Sequence, residues 1–173
     1  SCLLAAGASL PAQERLPRFV SSPDVHGGRV VFTWEDDLWL GSLKGGAARR
    51  LTTHPGTENG ARFSPDGRWI AFLGRYDGAP QVYLMPAEGG TPRRLTWRGA
   101  ANVVGWSPDG RKVLFRAFYE QDVRPISRIY AVDLEGHEPE PLPLRKATEG
   151  AYHARVEMID GQLGELLRDL LPA

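Results

Sequence analysis

A four-residue turn motif recurs along this chain at a nearly constant spacing, and that repetition limits the possible folds more than any other feature. Ser64–Gly67 (Ser-Pro-Asp-Gly) returns as Ser107–Gly110, 43 residues later, and a weaker Ser22–Asp24 (Ser-Pro-Asp) precedes the first copy by 42 residues. A period in the low forties is typical of the four-stranded blades of β-propellers and lies outside the shorter periods of leucine-rich and many helical repeats. The spacing therefore predicts an array of similar β units.

The residues of the motif suit a tight turn between two strands. Pro65 presets φ for the second turn position, and Gly67 can take the left-handed conformation that closes a bulged hairpin. Short segments rich in aromatic and β-branched residues flank each turn, as strands do. Arg49–Thr52 recurs as Arg93–Thr96, 44 residues later, which supports the same register from the other end of the unit.

These patterns predict an all-β fold, an incomplete β-propeller of about three four-stranded antiparallel blades within residues 16–152. The blades are predicted at 18–52, 61–96 and 103–144. The predicted strands are 18–20, 29–33, 37–43 and 49–52; 61–63, 68–73, 81–85 and 93–96; and 103–106, 112–118, 128–134 and 142–144. Because propellers usually close with about four to eight blades, three would leave apolar faces and strand edges uncovered. We therefore expect an isolated monomer to have poor stability.

Composition indicates a globular chain without a strong charge preference for its partners. Hydrophobic residues make up 42% and charged residues 24% of the sequence, and 21 basic residues balance 21 acidic ones. This balance argues against disorder and against nucleic acid or an anionic membrane as partner. Arg49-Arg50 and Arg93-Arg94 permit a basic-patch interpretation, but their shared repeat position favours charge that protects an exposed outer strand. No segment reaches transmembrane length.

The first 13 residues resemble the remnant of a secretory signal. Cys2–Ala8 is a short apolar and small-residue run, and Ala6–Ala8 has the form of a small-x-small cleavage site. We expect a periplasmic or secreted protein; the alternative is a disordered apolar N-terminus. Cys2 is the sole cysteine, so no intrachain disulfide is expected, and the apolar run that follows it disfavours a lipid anchor.

The last 21 residues, 153–173, diverge from the repeat. After His153, Ala154–Val156 stands where Pro-Asp-Gly should follow. Apolar residues at spacings of three and four then predict a short C-terminal helix over 162–171. This helix could cap an open blade or dock a partner; the alternative is a terminal segment unrelated to the propeller.

Residues that could support catalysis or metal binding have simpler structural explanations. Ser64 and Ser107 occupy the same turn position, and no Gly-x-Ser-x-Gly elbow is present. The four histidines are dispersed and lack metal-ligand spacing; they are His26, His54, His137 and His153. We assign no catalytic, cofactor-binding or metal-ligating residue and expect no cofactor.

Three further groups of residues have a possible functional role beside their structural one. Glu35–Asp37 suggests a cation or amine site, but its place between two strands favours a polar turn. Trp34 and Trp39 could line a binding surface, although packing between blades is the commoner role for aromatic residues on adjacent strands. The pairs Gly45-Gly46 and Gly89-Gly90 share one repeat position and are interpreted as hairpin glycines, not as a phosphate-binding loop.

Several segments together resemble the N-terminal propeller of tricorn-type serine proteases, with TolB-like propellers as wider relatives. The segments are Trp34–Trp39, Arg50–Thr52 with His54–Gly56, Phe63–Phe72, Met85–Gly90 and Val104–Trp106, and the resemblance spans about 16–152. It implies a large peptidase whose propellers gate or channel peptides toward a catalytic core carried on other domains. No catalytic residue of the family has a matching position here.

The resemblance leads to two hypotheses for function. The first is a non-catalytic propeller segment of an exported tricorn-like serine peptidase, truncated from its parent, with peptide, protein or the missing peptidase domains as partners. The alternative is a TolB-like periplasmic interaction propeller, completed by self-association or by another protein.

Overall fold

The computed structural model describes residues 20–119 and 127–142. This part of the chain forms twelve strands and contains no helix. The strands are β1 (Ser21–His26), β2 (Arg29–Trp34), β3 (Asp37–Ser42), β4 (Arg49–Arg50), β5 (Glu58–Phe63), β6 (Trp69–Gly74), β7 (Gln81–Pro86), β8 (Arg93–Arg94), β9 (Asn102–Trp106), β10 (Lys112–Ala117), β11 (Arg128–Asp133) and β12 (Glu140–Pro141). Within these ranges, no helix has the length and apolar character needed to cross a membrane.

The strands form three four-stranded sheets, here called blades 1, 2 and 3 in chain order. Consecutive strands pair antiparallel within each blade. β5 contacts both β1 and β9, so the first strands of the blades are neighbours, while the two-residue strands β4, β8 and β12 form the outer edges. The predicted all-β propeller architecture is confirmed. The predicted helix at 162–171 lies outside the described residues.

The first strand of blade 1 differs from the prediction. Ser22–Asp24 is not a turn; it lies within β1, where Ser22 has a φ of 50° and the pairing with β2 shifts register. The actual hairpin turn is Gly27-Gly28, between His26 and Arg29. Asp24 pairs with Val31 as Arg62 pairs with Ala71, so this motif corresponds to the bulge in β5 and not to the Ser64–Gly67 turn. The first strand of blade 1 is therefore β1 (Ser21–His26) and not the predicted 18–20, of which 18 and 19 lie outside the described residues.

The fourth strand of blade 3 also lies elsewhere than predicted. β12 is Glu140–Pro141, because Tyr130 and Ala131 of β11 pair with Pro141 and Glu140. Leu142 is outside the strand. The prediction placed this strand at 142–144, and 143 and 144 lie outside the described residues.

The apolar core lies between blades. Because side chains alternate across a strand, β6 and β7 present one set of side chains to blade 1 and another to blade 3. The first set is Ile70, Phe72, Tyr83 and Met85, and the second is Ala71, Leu73, Val82 and Leu84. All are at most 6% exposed. Blade 2 is thus buried on both faces, which explains the nearly continuous apolar character of its middle strands.

Candidate functional site at the seam between blades 1 and 2

The Ser-Pro-Asp-Gly turns are closed by their own side chains. The Ser64 hydroxyl donates to Asp66 Oδ1 (2.6 Å) and accepts from the Trp69 backbone N–H (2.9 Å). Ser107 repeats both contacts with Asp109 (2.6 Å) and Lys112 (2.9 Å). Hydrogen bonding from the serine lowers the pKa of the Asp66 and Asp109 carboxyls. Both hydroxyls are therefore occupied in turn formation, which leaves neither poised as a nucleophile.

The first of these turns also docks blade 2 onto blade 1. Arg29 of blade 1 donates to the Gly67 carbonyl oxygen (2.7 Å), and its guanidinium lies 5.2 Å from the centre of the Phe63 ring. Gly67 has a φ of 69°, and a β-carbon there would lie 2.1 Å from Cδ2 of His26. Asp24 Oδ2 accepts from the Phe63 backbone N–H (2.7 Å). His26 and Asp24 thus serve the contact between blades.

A buried polar cluster lies at the opposite ends of the same strands. We call Asp37, Thr52, Glu58 and Tyr76 the seam cluster. The Thr52 hydroxyl accepts from the Leu38 backbone N–H and donates to Glu58 Oε2, both at 2.9 Å. The Glu58 backbone N–H donates to the Asp36 carbonyl oxygen (2.7 Å). These bonds tie the start of β5 to blade 1.

The seam cluster contains buried oxygens that lack a partner of standard geometry among the described residues. They are Glu58 Oε1, Asp37 Oδ1 and the Tyr76 hydroxyl, although both Asp37 and Tyr76 face the Glu58 carboxyl. Glu58 has no accessible surface, and Asp37 forms an ion pair with Arg50. Two carboxyl groups therefore share a site that contains one guanidinium.

Burial controls the charge of this cluster. It raises the pKa of the Glu58 carboxyl from 4.5 to about 7, with the hydrogen bond from Thr52 opposing the rise and the neighbouring Asp37 adding to it. Burial also raises the pKa of the Tyr76 hydroxyl. A protonated Glu58 can donate to the unpaired Asp37 oxygen, which would satisfy both groups. The cluster thus suits proton binding near neutrality within a structural contact.

Beside the seam cluster lies an open cleft of about 420 Å³. His54 and Tyr76 line it with their rings 4.1 Å apart, and Thr91 and Pro92 form its far side. The His54 Nδ1 accepts from the Gly56 backbone N–H (2.9 Å), so this histidine holds its own loop. The residues that line the cleft include no serine or cysteine.

Asp133, Glu135 and His137 form an exposed group in which one ligand atom from each residue lies within 4.8 Å of the others. The spacing of the four histidines did not indicate this group, although its three residues lie within five positions of the sequence. Asp133 Oδ1 accepts from the backbone N–H groups of Gly136 (2.8 Å) and His137 (3.0 Å), so it closes the β11–β12 turn. The hydrogen bond to Asp133 raises the pKa of the His137 imidazole. His153 lies outside the described residues.

The acidic run Glu35–Asp37 and the two tryptophans, Trp34 and Trp39, have different structural roles. Glu35 and Asp36 form the two-residue turn between β2 and β3, both with positive φ, whereas Asp37 belongs to β3 and is buried. Trp34 and Trp39 pack edge to face with ring centres 4.8 Å apart. They lie on the face of blade 1 turned away from blade 2, so the prediction that they pack between blades is not met by the described blades.

The paired arginines are engaged within and between blades. Arg49 donates to the Glu88 carbonyl (2.9 Å) and carboxylate (3.0 Å) of blade 2, and Arg50 pairs with Asp37. Arg94 donates to the Thr96 carbonyl oxygen (2.6 Å). The hairpin role of the glycine pairs is supported by positive φ at all four positions: Gly45, Gly46, Gly89 and Gly90.

Sequence reasoning did not identify the seam cluster. The repeat of Arg-Leu-Thr pointed to Thr52 and Thr96, and Thr96 does bind the Val82 backbone N–H (2.9 Å) and Gln81 (2.8 Å) in blade 2. Glu58 has no such signal, because the corresponding position in blade 3 is Ala101. Because a charged residue occurs at this position in only one of these two blades, comparison of the repeats could not identify it.

Comparisons with known proteins agree with this architecture. The family model described as the tricorn protease N-terminal β-propeller domain matches residues 17–162, which extends past Tyr152, the end of the resemblance inferred from sequence. Tricorn protease homolog 1 of Streptomyces coelicolor is 34% identical over 88% of this chain and 14% of its own length. The crystal structure of the tricorn protease superposes with a TM-score of 0.64 at 30% identity, covering 73% of this chain and 13% of that one.

A second solved structure shows the wider relationship. The putative TolB from Agrobacterium tumefaciens also superposes with a TM-score of 0.64, at 28% identity, over 73% of this chain and 47% of that chain. The chain therefore spans about one seventh of these two tricorn relatives and about half of the TolB neighbour.

Proposed function

Because the chain belongs to the tricorn protease N-terminal β-propeller domain family, we propose that it serves a tricorn-like serine peptidase as a non-catalytic propeller segment. In this role it scaffolds the peptidase and helps to admit peptides, while the peptidase chemistry resides on other domains. The observation that carries this proposal is the family match over 17–162, which covers all three blades.

The site geometry is consistent with a scaffold. The described serines of the two turns hold the turns, the buried carboxyls join blades 1 and 2, and the described histidines stabilise loops or the blade contact. A triad needs a nucleophile, a base and an orienting group within hydrogen-bonding reach. Residues 20–119 and 127–142 present no such arrangement.

The first test is the hydrolysis of peptides by the purified chain. Incubation with a mixture of long peptides, followed by mass spectrometry, should show no cleavage products above those of a blank preparation. Robust cleavage that copurifies with the chain would refute the non-catalytic role. Preparations of Ser64→Ala and Ser107→Ala distinguish the chain's own serines from a contaminating peptidase.

The second test concerns peptide admission in a complete tricorn protease. Exchanging its corresponding three blades for this chain should preserve the hydrolysis of short chromogenic substrates and alter the kcat/KM for long peptides. A short substrate does not depend on a path through a propeller, whereas a long peptide does. Equal effects on short and long substrates would contradict a role in admission and leave only scaffolding.

We further propose that the protein is exported, on the basis of the apolar Cys2–Ala8 run and the Ala6–Ala8 pattern. Fusion of residues 1–13, preceded by a start codon and a basic leader, to alkaline phosphatase tests this. The reporter becomes active only after it crosses the inner membrane. Activity that is unaffected by replacing the apolar run with polar residues would contradict export.

A further inference from the structure

An arginine side chain joins blade 1 to blade 2 at the rim that carries the Ser-Pro-Asp-Gly turns. The Arg29 guanidinium, at the start of β2, contacts three groups of blade 2. It donates to the Gly67 carbonyl oxygen (2.7 Å) and to Glu88 Oε1 (2.7 Å), and it lies 5.2 Å from the centre of the Phe63 ring. A carbonyl oxygen, a carboxylate and an aromatic ring thus form a guanidinium site between these two blades.

Blade 3 carries the carbonyl oxygen and the carboxylate of such a site at the equivalent positions. Gly110 is the equivalent of Gly67, and the two residues have nearly the same φ, 70° and 69°. Glu135 is the equivalent of Glu88, because each is the third residue of a turn in which the N–H of the following glycine donates to the last carbonyl of the strand. Among the described residues, Glu88 pairs with two arginines, whereas Glu135 pairs with none.

Blade 2 supplies an indole where blade 1 supplies the arginine. β2 begins with Arg29 and β6 begins with Trp69, and these residues pair with Ser42 and Pro86 at the ends of β3 and β7. Their side chains therefore occupy equivalent positions, each on the face toward the next blade. Trp69 packs against the core cluster between blades 2 and 3. The contact between blades 2 and 3 thus lacks the guanidinium that joins blades 1 and 2.

An open groove lies between blades 2 and 3 at this rim. Its volume is about 540 Å³, and Trp69, Pro65 and Gly110 are among the residues that line it. A β-carbon on Gly110 would have its nearest contact at 3.6 Å, with Pro65, whereas a β-carbon on Gly67 would lie 2.7 Å from the Arg29 guanidinium. The space beside the glycine that Arg29 fills between blades 1 and 2 is therefore open between blades 2 and 3.

The charges around the groove are complementary to one further cation. Arg68 binds Asp66 (2.6 Å) within its own turn, and Arg111 lies near Asp109 in the equivalent turn, so two guanidiniums are matched by two carboxylates. Glu135, in the neighbouring turn of blade 3, adds a third carboxylate. One negative charge is therefore in excess, which favours a cationic ligand over a neutral or anionic one.

We propose that this groove binds an arginine side chain of a peptide. The planar guanidinium stacks on the Trp69 indole and donates to the Gly110 carbonyl oxygen and the Glu135 carboxylate, the same three kinds of contact that Arg29 makes within the chain. A lysine ammonium has neither the flat surface nor the fork of donors that these contacts use. The choice of a peptide as the ligand rests on the proposed role in peptide admission, whereas the guanidinium site itself does not.

Titration of the full 173-residue chain with the peptide acetyl-Ala-Arg-Ala-amide, followed by NMR, tests the proposal. We expect a Kd of about 1 mM, with shifts of the Trp69 indole N–H and the Gly110 amide signals. The same peptide with citrulline in place of arginine keeps the shape without the charge and should bind at least about tenfold more weakly. The lysine peptide should bind about fivefold more weakly than the arginine peptide.

Matched substitutions in the two equivalent turns identify the site. Glu135→Gln changes an exposed side chain, so it should leave the circular dichroism unchanged while it weakens binding of the arginine peptide by about three- to tenfold. Glu88→Gln makes the same change where Arg29 already occupies the site and should leave peptide binding unchanged.

Four results would each overturn the proposal. They are no binding up to about 10 mM peptide, equal binding of the citrulline or lysine peptide, equal weakening by the two glutamine substitutions, and shifts confined to residues outside the groove. The titration involves no hydrolysis, so its failure would leave the exchange of blades in a complete tricorn protease as a separate test of peptide admission.

Discussion

Replacing Glu58 with glutamine should remove most of a pH dependence that the buried carboxyl imposes on folding. The folded-state pKa is about 7 against an ordinary value of 4.5. A raised carboxyl pKa means that the folded state binds a proton more tightly than the unfolded chain does. Ionisation of Glu58 therefore lowers the free energy of unfolding. This free energy falls as pH rises above about 4.5, and the decrease levels off above about 7.

The size of this effect follows from the pKa difference, which corresponds to about 3 kcal/mol between pH 4 and pH 9. Glutamine keeps the acceptor for Thr52 and supplies N–H donors for the unpaired Asp37 oxygen, without a charge to bury. Glu58→Gln should therefore match the parent near pH 5 and exceed its stability near pH 8 by up to about 3 kcal/mol.

Urea-induced unfolding, followed by tryptophan fluorescence at matched protein concentration from pH 5 to pH 9, measures this difference. Other titrating groups are common to both proteins and cancel in the comparison. Glu35→Gln makes the same chemical change in an exposed turn and should retain the parent's pH dependence. If the parent and Glu58→Gln lose stability in parallel as pH rises, or if Glu58→Gln is the less stable protein at pH 8, the burial argument is refuted.

Three further predictions test the contacts between blades by the same unfolding assay. Gly67→Ala and Gly110→Ala share positive φ (69° and 70°), but the first would place a β-carbon 2.1 Å from His26 and the second 3.6 Å from Pro65, so Gly67→Ala should cost about 1–3 kcal/mol more; equal costs would contradict the docking of this turn. Phe72→Ala should cost about 3–5 kcal/mol and Phe32→Ala clearly less, because only Phe72 is fully buried; the reverse order would refute the assigned faces. Trp106→Phe removes the hydrogen bond from Nε1 to the Arg62 carbonyl (3.1 Å) and should cost about 1 kcal/mol, and an unchanged stability would show that this bond contributes nothing.

Local chemistry explains why the repeat could be interpreted from sequence. Ser64, Asp66 and Gly67 act within one turn, and the alternating strands of blades 2 and 3 bury predictable faces, so the observed bounds of β6, β7 and β10 lie within a residue of those predicted. Ser22–Asp24 misled because the same residue types that close a turn also fit a strand bulge, and only the pairing of Asp24 with Val31 distinguishes the two.

The seam cluster and the packing of the blade faces depend on contacts between residues that are far apart in the sequence. Asp37, Thr52, Glu58 and Tyr76 come from both blades and meet only when those blades pack. Trp34 and Trp39 show why the packing of a blade face could not be predicted from sequence. Their apolar character predicts burial but does not identify the blade that covers them. The blades could thus be predicted from the sequence. The blade that each face contacts could be identified only from the strand register in the structure.

Blade 2 packs against two neighbouring blades, whereas blades 1 and 3 each pack against one blade among the described residues. Hydrogen–deuterium exchange of the purified chain measures this difference between blades. We expect the slowest amide exchange in β6 and β7, with faster exchange in the equivalent β2, β3, β10 and β11. Equal protection of all three blades, or the fastest exchange in blade 2, would contradict this arrangement.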